Sequence, residues 1–377
     1  MLKLTFLGTS AGVPTRNRFM SALAVQSPLT GRGWYLLDCA EGTQHRLLRT
    51  PLSLHDLAGV CISHVHGDHC YGLPGLLATA GLQGRKHPLQ LIAPAPIWEW
   101  VRSTQRLTDL YVPFAIEFVD IETLQNISMP LAVGRDARLS VGSHPLRHRV
   151  PSHAFRFELQ QRLVQLDDEA LRQRGLPPGP GWGRLKQGAD VVLGGQTLHS
   201  RDYVQVRNRR LAAVMGGDNG EPALLRDACR DAQLLVHEAT YTQAVQDRIG
   251  AERLHSSAQE VAVFAQQAGL PNLILTHLSP RHHPAAELAR MRQEVTAHYG
   301  GRAFLAQDFD VFTLDFDGHL AASDGRHDGI GRSTHRMSSK ECVREYVESH
   351  GEGDIAGHAQ PSNSIPVAFA NATNSRS

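Results

Sequence analysis

Residues 61–77, CISHVHGDHCYGLPGLL, place His64, His66, Asp68 and His69 within six residues, directly after the apolar run 57–62. Neutral imidazoles and a carboxylate are the ligands that borderline metals such as zinc prefer. Residues two apart in an extended segment point the same way, so His64 and His66 can reach one ion. Gly67 lets the chain turn, which offers Asp68 and His69 to a second ion nearby. A lone histidine in such a place is usually a surface residue. Four ligand-type residues at this spacing, after a strand and before an apolar segment carrying Gly72 and Pro74, are not what a surface loop looks like.

Further ligand candidates are scattered along the chain, each at the end of an apolar run. SHPLRHRVPSH offers His144, His148 and His153, which the residues alone do not separate. The run 211–215 ends at Gly216-Gly217-Asp218-Asn219, and a carboxylate at a glycine-flanked strand end can give one oxygen to each of two ions. LLVHEATYT carries His237 and Glu238, His255 stands just before a helical pattern, and the run 273–275 ends at Thr276-His277. His237 reads as a structural histidine.

The positioning elements follow from periodicity. Strands are expected at 2–7, 21–26, 34–37, 57–62, 89–93, 115–119, 121–124, 139–142, 211–215 and 273–275. Helices are expected at 44–49, 73–82, 97–110 and 167–174, and after a cap at Ser256 with Val261, Phe264, Ala265 and Ala268 on one face. The stretch PPGPGWGRLKQG is too rich in proline and glycine for regular structure. From Gly318 onward the chain is polar, Gly/Ser-rich and poor in aliphatics. It has too little apolar surface to offset chain ordering, so the domains read as 1–317 and a disordered tail, 318–377.

A chain of 377 residues with 41% apolar content fits one large soluble domain or two ordinary ones. No apolar stretch approaches the ~20 residues of a membrane span. The N-terminus, MLKLTFLGTSAG, lacks the long apolar region and cleavage site of a signal peptide. Five scattered cysteines argue for a reducing, cytoplasmic setting. A formal charge of +1 is mild testimony against a nucleic-acid partner, unless a basic surface is concentrated locally.

HVHGDH has the H-x-H-x-D-H pattern of the metallo-β-lactamase superfamily, and its continuation YGLPGLL resembles ribonuclease Z, the family that trims tRNA 3′ ends. GTSAGVPTRNR, DCAEGTQHRLL, GD at 217–218, HEAT at 237–240 and the T-H-x-S pattern at 276–279 resemble segments of the same family in the same order over residues 2–316. The resemblance implies an α/β fold, the αββα sandwich. Two mixed β-sheets pack face to face, helices lie outside, and an arm protrudes at about 160–200. It selects His148 among the three histidines, because Pro151, Phe155 and Arg156 follow it in the family's pattern.

It further implies two zinc ions, with manganese the alternative. One is held by His64, His66 and His148, the other by Asp68, His69 and His277, and Asp218 bridges. Asp68 is the implied general base, and His255 supported by Glu238 the implied acid. In the arm, Trp182 offers a stacking face, and Arg172, Arg174, Arg184 and Lys186 offer phosphate contacts. The implied partner is a tRNA precursor, in a cytoplasmic homodimer, with no membrane and no DNA. Asn219 departs from the family's GDT, and His255-Ser256-Ser257 from its His-Ser-Thr. On the same scaffold the alternatives are a small-molecule phosphodiesterase, an arylsulfatase-like enzyme or a lactamase. A non-catalytic RNA-binding protein with a structural metal is the more distant one, and seven ligands with an acid candidate speak against it.

Overall fold

The computed structural model describes residues 1–125 and 127–323. The chain first lays down β1 (Leu2–Gly8), β2 (Ala22–Gln26), β3 (Trp34–Leu37), β4 (Leu57–Cys61), β5 (Leu89–Ala93) and β6 (Ile116–Asp120). It continues with β7 (Met129–Val133), β8 (Ala137–Leu146), β9 (Ser152–Leu166), β10 (Val191–Leu193), β11 (Gln196–Leu198) and β12 (Val204–Gly216). It closes with β13 (Leu234–Glu238), β14 (Asn272–Thr276), β15 (Arg302–Leu305), β16 (Val311–Leu314) and β17 (Leu320–Ala322). One sheet has the order β17-β16-β1-β2-β3-β4-β5-β6, the other β15-β14-β13-β12-β9-β8-β7. Both are mixed: β3 to β6 run parallel and β12 to β15 run parallel, while the remaining pairs are antiparallel.

The helices are α1 (Thr43–Leu47), α2 (Gly67–Cys70), α3 (Leu73–Leu82), α4 (Ala95–Thr108), α5 (Asp168–Gln173), α6 (Pro180–Lys186), α7 (Ser200–Tyr203), α8 (Gln243–Ile249), α9 (Ala258–Gln267) and α10 (Ala285–His298). Strand alternation sorts the apolar residues into layers. Along β12, Leu211, Ala213 and Met215 face Phe6, Tyr35 and Phe157 in the core between the sheets. Ala212 and Val214 face Val261 and Phe264 of α9 on the outside. On the other flank, Leu36 and Val60 pack against Leu73, Leu76 and Leu77 of α3 and Ile97 and Val101 of α4. The expected αββα sandwich is the fold the chain adopts. Among the described residues, no helix is long and apolar enough to cross a membrane.

Four local expectations change. Residues Ile121–Leu124 form a 3-10 turn rather than a strand, capped by the Asp120 side chain, which accepts from the Glu122 amide at 3.1 Å. Helix α9 is capped by Ser257, not Ser256. The Ser257 hydroxyl accepts from the Glu260 amide and the Glu260 carboxylate from the Ser257 amide, a capping box legible as S-A-Q-E. The proline- and glycine-rich stretch contains a helix, α6. Pro180 occupies its first turn, where no amide hydrogen is needed, and Leu185 is buried near its C-terminal end. Finally, the ordered fold passes Asp317: β17 pairs with β16, and Leu320 is buried in the core between the sheets. The rest of the expected tail, 324–377, lies outside the described residues.

The arm is built as an extension of β9 and β12, which stay paired from Gly216↔Ala154 to Val204↔Leu166. Beyond that point α5, α6, α7 and the β10–β11 hairpin enclose a small core of Leu171, Leu176, Leu185, Val191, Leu198 and Tyr203.

Candidate metal centre

Strands β3 and β4 of one sheet and β12, β13 and β14 of the other end along a single edge, and the chemistry-bearing residues gather there. Ser63 and His64 follow β4, Asp218 and Asn219 follow β12, Glu238 ends β13 and His277 follows β14. The two sheets touch at this edge: the Gly217 amide donates to His153 O at 3.1 Å, and the His153 amide donates to Ser63 O at 3.1 Å. Gly217 is required there. A Cβ on it would stand 2.6 Å from Ser63 Cβ and 2.9 Å from His153 O.

Two ligand groups follow the expected division, and a third set, Asp218, His255 and His277, overlaps both. His64, His66, His148 and Asp218 form one; Asp68, His69 and His277 form the other. His66 Nδ1 lies 3.2 Å from His64 Nε2 and 3.1 Å from His148 Nε2, and His69 Nε2 lies 3.3 Å from His277 Nε2. A tetrahedral ion with nitrogen ligands at about 2.0–2.1 Å requires ligand atoms about 3.3 Å apart, so the donors fit a divalent cation in each group. Asp218 divides its oxygens between them. Oδ1 is 3.3 Å from His69 and 3.4 Å from His277, while Oδ2 is 3.8 Å from His64 and 3.7 Å from His148. Asp68 Oδ2 stands 3.4 Å from His277 Nε2 and accepts from the Gly12 amide at 2.8 Å. His144 and His153 stay outside. His153 hydrogen-bonds Ser63 O and pairs with Glu122 at 3.2 Å.

What the ligands lean on was not foreseen from the sequence. A histidine ligand works when its second nitrogen is held as a donor, which fixes both tautomer and ring direction. His148 Nδ1 donates to Leu254 O at 2.9 Å, and His277 Nδ1 to Thr240 Oγ1 at 3.0 Å. His69 Nδ1 donates to Asp38 Oδ2 at 2.7 Å. His64 Nδ1 donates to Ser63 Oγ at 2.9 Å, and that hydroxyl donates to Asp38 Oδ2 at 3.0 Å. Asp38 therefore orients one histidine of each group. Its φ of 54°, like the 54° of His277, is a left-handed backbone that costs about 1–3 kcal/mol outside glycine. The signal in the sequence was slight: Asp38 ends an apolar strand inside DCAEGT.

The protonation states agree with this use. Burial holds His64, His66 and His148 below the ordinary histidine range, reinforced by neighbouring imidazoles, so they are neutral with free lone pairs. Burial opposes charge on His69 too, but Asp218 and Asp38 overcome it and hold its pKa well above the ordinary value. Carboxylates that hold a proton there would hold a cation in its place. Asp218 is buried, yet His277 and His69 keep it well below the usual carboxylate range.

Beside the ligands, His255 Nδ1 lies 2.9 Å from Glu238 Oε1 and 3.8 Å from Asp218 Oδ2. Burial lowers its pKa, but the two carboxylates outweigh burial and push it up to about 9. Glu238 is held in turn by the Asn219 amide at 2.7 Å and by the Thr240 hydroxyl. Asn219 is buried, and its carboxamide meets His237 Nε2 at 3.0 Å and accepts from the amides of Arg147 and Glu221. The hydrogen bonds of Asn219 tie β12, the His148 loop and β13 together. His237 is a satisfied structural histidine, its Nδ1 donating to Glu238 O at 2.7 Å.

In the arm, Arg184 and Lys186 are exposed, on α6. Trp182 is partly buried in the arm's own core. Its indole donates to Leu176 O at 3.2 Å and Arg172 lies over its ring, so packing occupies much of the surface expected for stacking.

A ribonuclease Z of Pseudomonas putida is 46% identical over 326 residues, covering 85% of this chain and 100% of that protein. The chain belongs to the ribonuclease Z family. The family described as anti-Pycsar protein Apyc1 matches residues 2–105, the part that carries HVHGDH. Among solved structures, the short form of human tRNase Z superposes with a TM-score of 0.55 at 24% identity, covering 83% of this chain and 99% of that one. The metallo-β-lactamase fold protein YhfI from Bacillus subtilis gives 0.55 at 21%, covering 82% and 98%. These two likenesses concern the fold, which is the metallo-β-lactamase fold.

Proposed function

We propose that this ribonuclease Z relative is a metal-dependent endoribonuclease that removes the 3′ trailer from tRNA precursors. Hydrolysis leaves a 3′-hydroxyl on the tRNA and a 5′-phosphate on the trailer. The observation that carries the reading is the 46% identity over the whole length of a named ribonuclease Z, in a chain whose seven family-pattern ligands converge. The proposed ions are two zincs, with manganese the alternative. When bound, such a pair neutralises charge on a phosphodiester and lowers the pKa of the attacking water.

The protein's own residues do the rest. Asp218 spans both groups and fixes their separation. Asp68, its Oδ2 held by the Gly12 amide, is placed to accept the proton of the attacking water. His255 gives Nδ1 to Glu238, which leaves Nε2 to deliver a proton to the departing ribose 3′ oxygen. Arg184 and Lys186 of the arm would contact phosphates of the tRNA body. Local positive charge is available despite the near-neutral total: exposed Arg138 and Arg162 lie on neighbouring cross-strand rows, with Arg210, paired to Glu158, beside them. A cytoplasmic homodimer is part of the same proposal: the buried free thiols at Cys39, Cys61, Cys70 and Cys229 support the reducing compartment, and the dimer rests on the family pattern alone.

The test is incubation of the metal-loaded protein with a tRNA precursor bearing a 3′ trailer, followed by end-group analysis. A 3′-hydroxyl tRNA and a 5′-phosphorylated trailer are expected. Hydrolysis of small phosphodiesters with no cleavage of the precursor would overturn the reading in favour of a small-molecule hydrolase.

A further inference from the structure

The cleft over the ligands is walled by Gly12, Val13, Tyr71, Arg149, Tyr241 and Arg253, with His66, Asp68 and His255 at its floor. Two aromatic rings face it and they differ in what occupies them. Tyr241 is engaged: His255 meets it edge-on at 5.9 Å and the Arg281 guanidinium lies over it at 5.5 Å. Tyr71 is 63% exposed.

Exposure usually means freedom, but this ring is held. Tyr71 closes the short helix α2, so it stands over Gly67, four residues back on the same face. The contact is close enough that a Cβ on Gly67 would fall 2.3 Å from the Tyr71 ring. Trp100 of α4 meets the ring with centroids 5.9 Å apart and planes at 47°. Gly67 thus does more than turn the HVHGDH segment, because its missing side chain is the seat of an aromatic ring. The same turn that carries Asp68 carries this ring beside it, with aromatic surface left open to solvent. Arg149 and Arg253, on the cleft rim, are exposed, and among the described residues neither has an ion pair.

A rigid, open aromatic surface beside a phosphodiester site, with cations along the rim, suits an unpaired nucleobase. Every base has a π-face, and ordering a ring that is already ordered costs little. We propose that Tyr71 is a stacking platform for a nucleotide adjoining the scissile phosphodiester. The proposal rests on the endoribonuclease reading above and names a substrate contact within it.

The test is a cycle between protein and substrate. Precursors are made with an abasic nucleotide in turn on either side of the scissile bond, and kcat/KM is measured for wild type, Tyr71→Phe and Tyr71→Ala. Stacking of this kind is worth ~1–3 kcal/mol, so Tyr71→Ala should lower kcat/KM on the intact precursor by about 5- to 150-fold. Tyr71→Phe should retain most of it. At one of the two positions the abasic precursor should be equally poor for wild type, with no further loss in Tyr71→Ala. Losses that multiply at both positions, or a Tyr71→Ala variant whose defect follows a changed oligomeric state or metal content, would overturn the proposal. Failure of the wild type to cleave any precursor would instead strike the endoribonuclease reading.

Discussion

At the scale of single residues, the centre depends on side chains that fix other side chains. His64→Ala or His277→Ala should lower bound metal and nearly abolish hydrolysis while the circular dichroism spectrum stays native. Full activity without bound metal would refute the two-ion reading. Asp38 is the more discriminating case, because it belongs to neither ligand group yet holds His69 directly and His64 through Ser63. Loss of such a partner typically costs about 10- to 100-fold in metal affinity. Asp38→Asn should therefore weaken both sites together in a chelator competition, and weakening of one alone would show that the Ser63 relay is idle. The acid role proposed for His255 predicts a leaving-group signature. His255→Ala should slow release of a ribose 3′ oxygen by roughly 10²–10⁴-fold, and release of p-nitrophenolate, which needs no proton, far less. Equal losses on both substrates would make His255 a structural residue.

At the scale of elements, the arm is a folded unit on a two-stranded stem. Removing Leu176 to Lys186 would take Leu176 and Leu185 from its small core, so that deletion tests the fold of the arm together with its contacts. Substitution of Arg184 and Lys186 by alanine separates the two, since both side chains are exposed. Each lost phosphate contact removes roughly 0.7–0.9 from the slope of log affinity against log salt. The double variant should bind precursor tRNA more weakly and with a flatter salt dependence, while small phosphodiesters are hydrolysed as before. An unchanged slope would mean that the arm's cations do not meet the RNA backbone.

For the whole molecule, the last strand sets the boundary. Truncation after Asp317 deletes β17 and uncovers the site of Leu320, whose burial is worth about 1.5–3 kcal/mol. That variant should show a lower Tm and a lower denaturant midpoint. Truncation after Ser323 keeps β17 and removes only the polar segment, and it should match the full chain in both stability and turnover. Equal stability of the two truncations would mean that β17 contributes nothing to the core.

Sequence alone determined what local chemistry determines. Apolar periodicity gave β1 to β6, β8, β12 and β14 but not β9, the longest strand, and the sandwich came from the family resemblance that the ordered motifs carry. His64, His66, Asp68 and His69 were legible because their spacing is short enough for the backbone itself to place them. Other features were hidden because they depend on neighbours far along the chain. Residue type alone does not distinguish His148 from His144 or His153; what separates His148 from His153 is that the His148 ring reaches His66 and Asp218, while the His153 ring is turned to Ser63 O and Glu122. Asp38 is 31 residues from His69, and no periodicity joins them. The helix at Pro180–Lys186 forms against its propensity, because Leu185 finds a core to bury in. Gly67 reads in sequence as a turn glycine, and only the packed structure makes it the seat of Tyr71. Periodicity and short motifs act over a few residues, whereas ligand sets, orienting carboxylates and packed rings are products of chain closure.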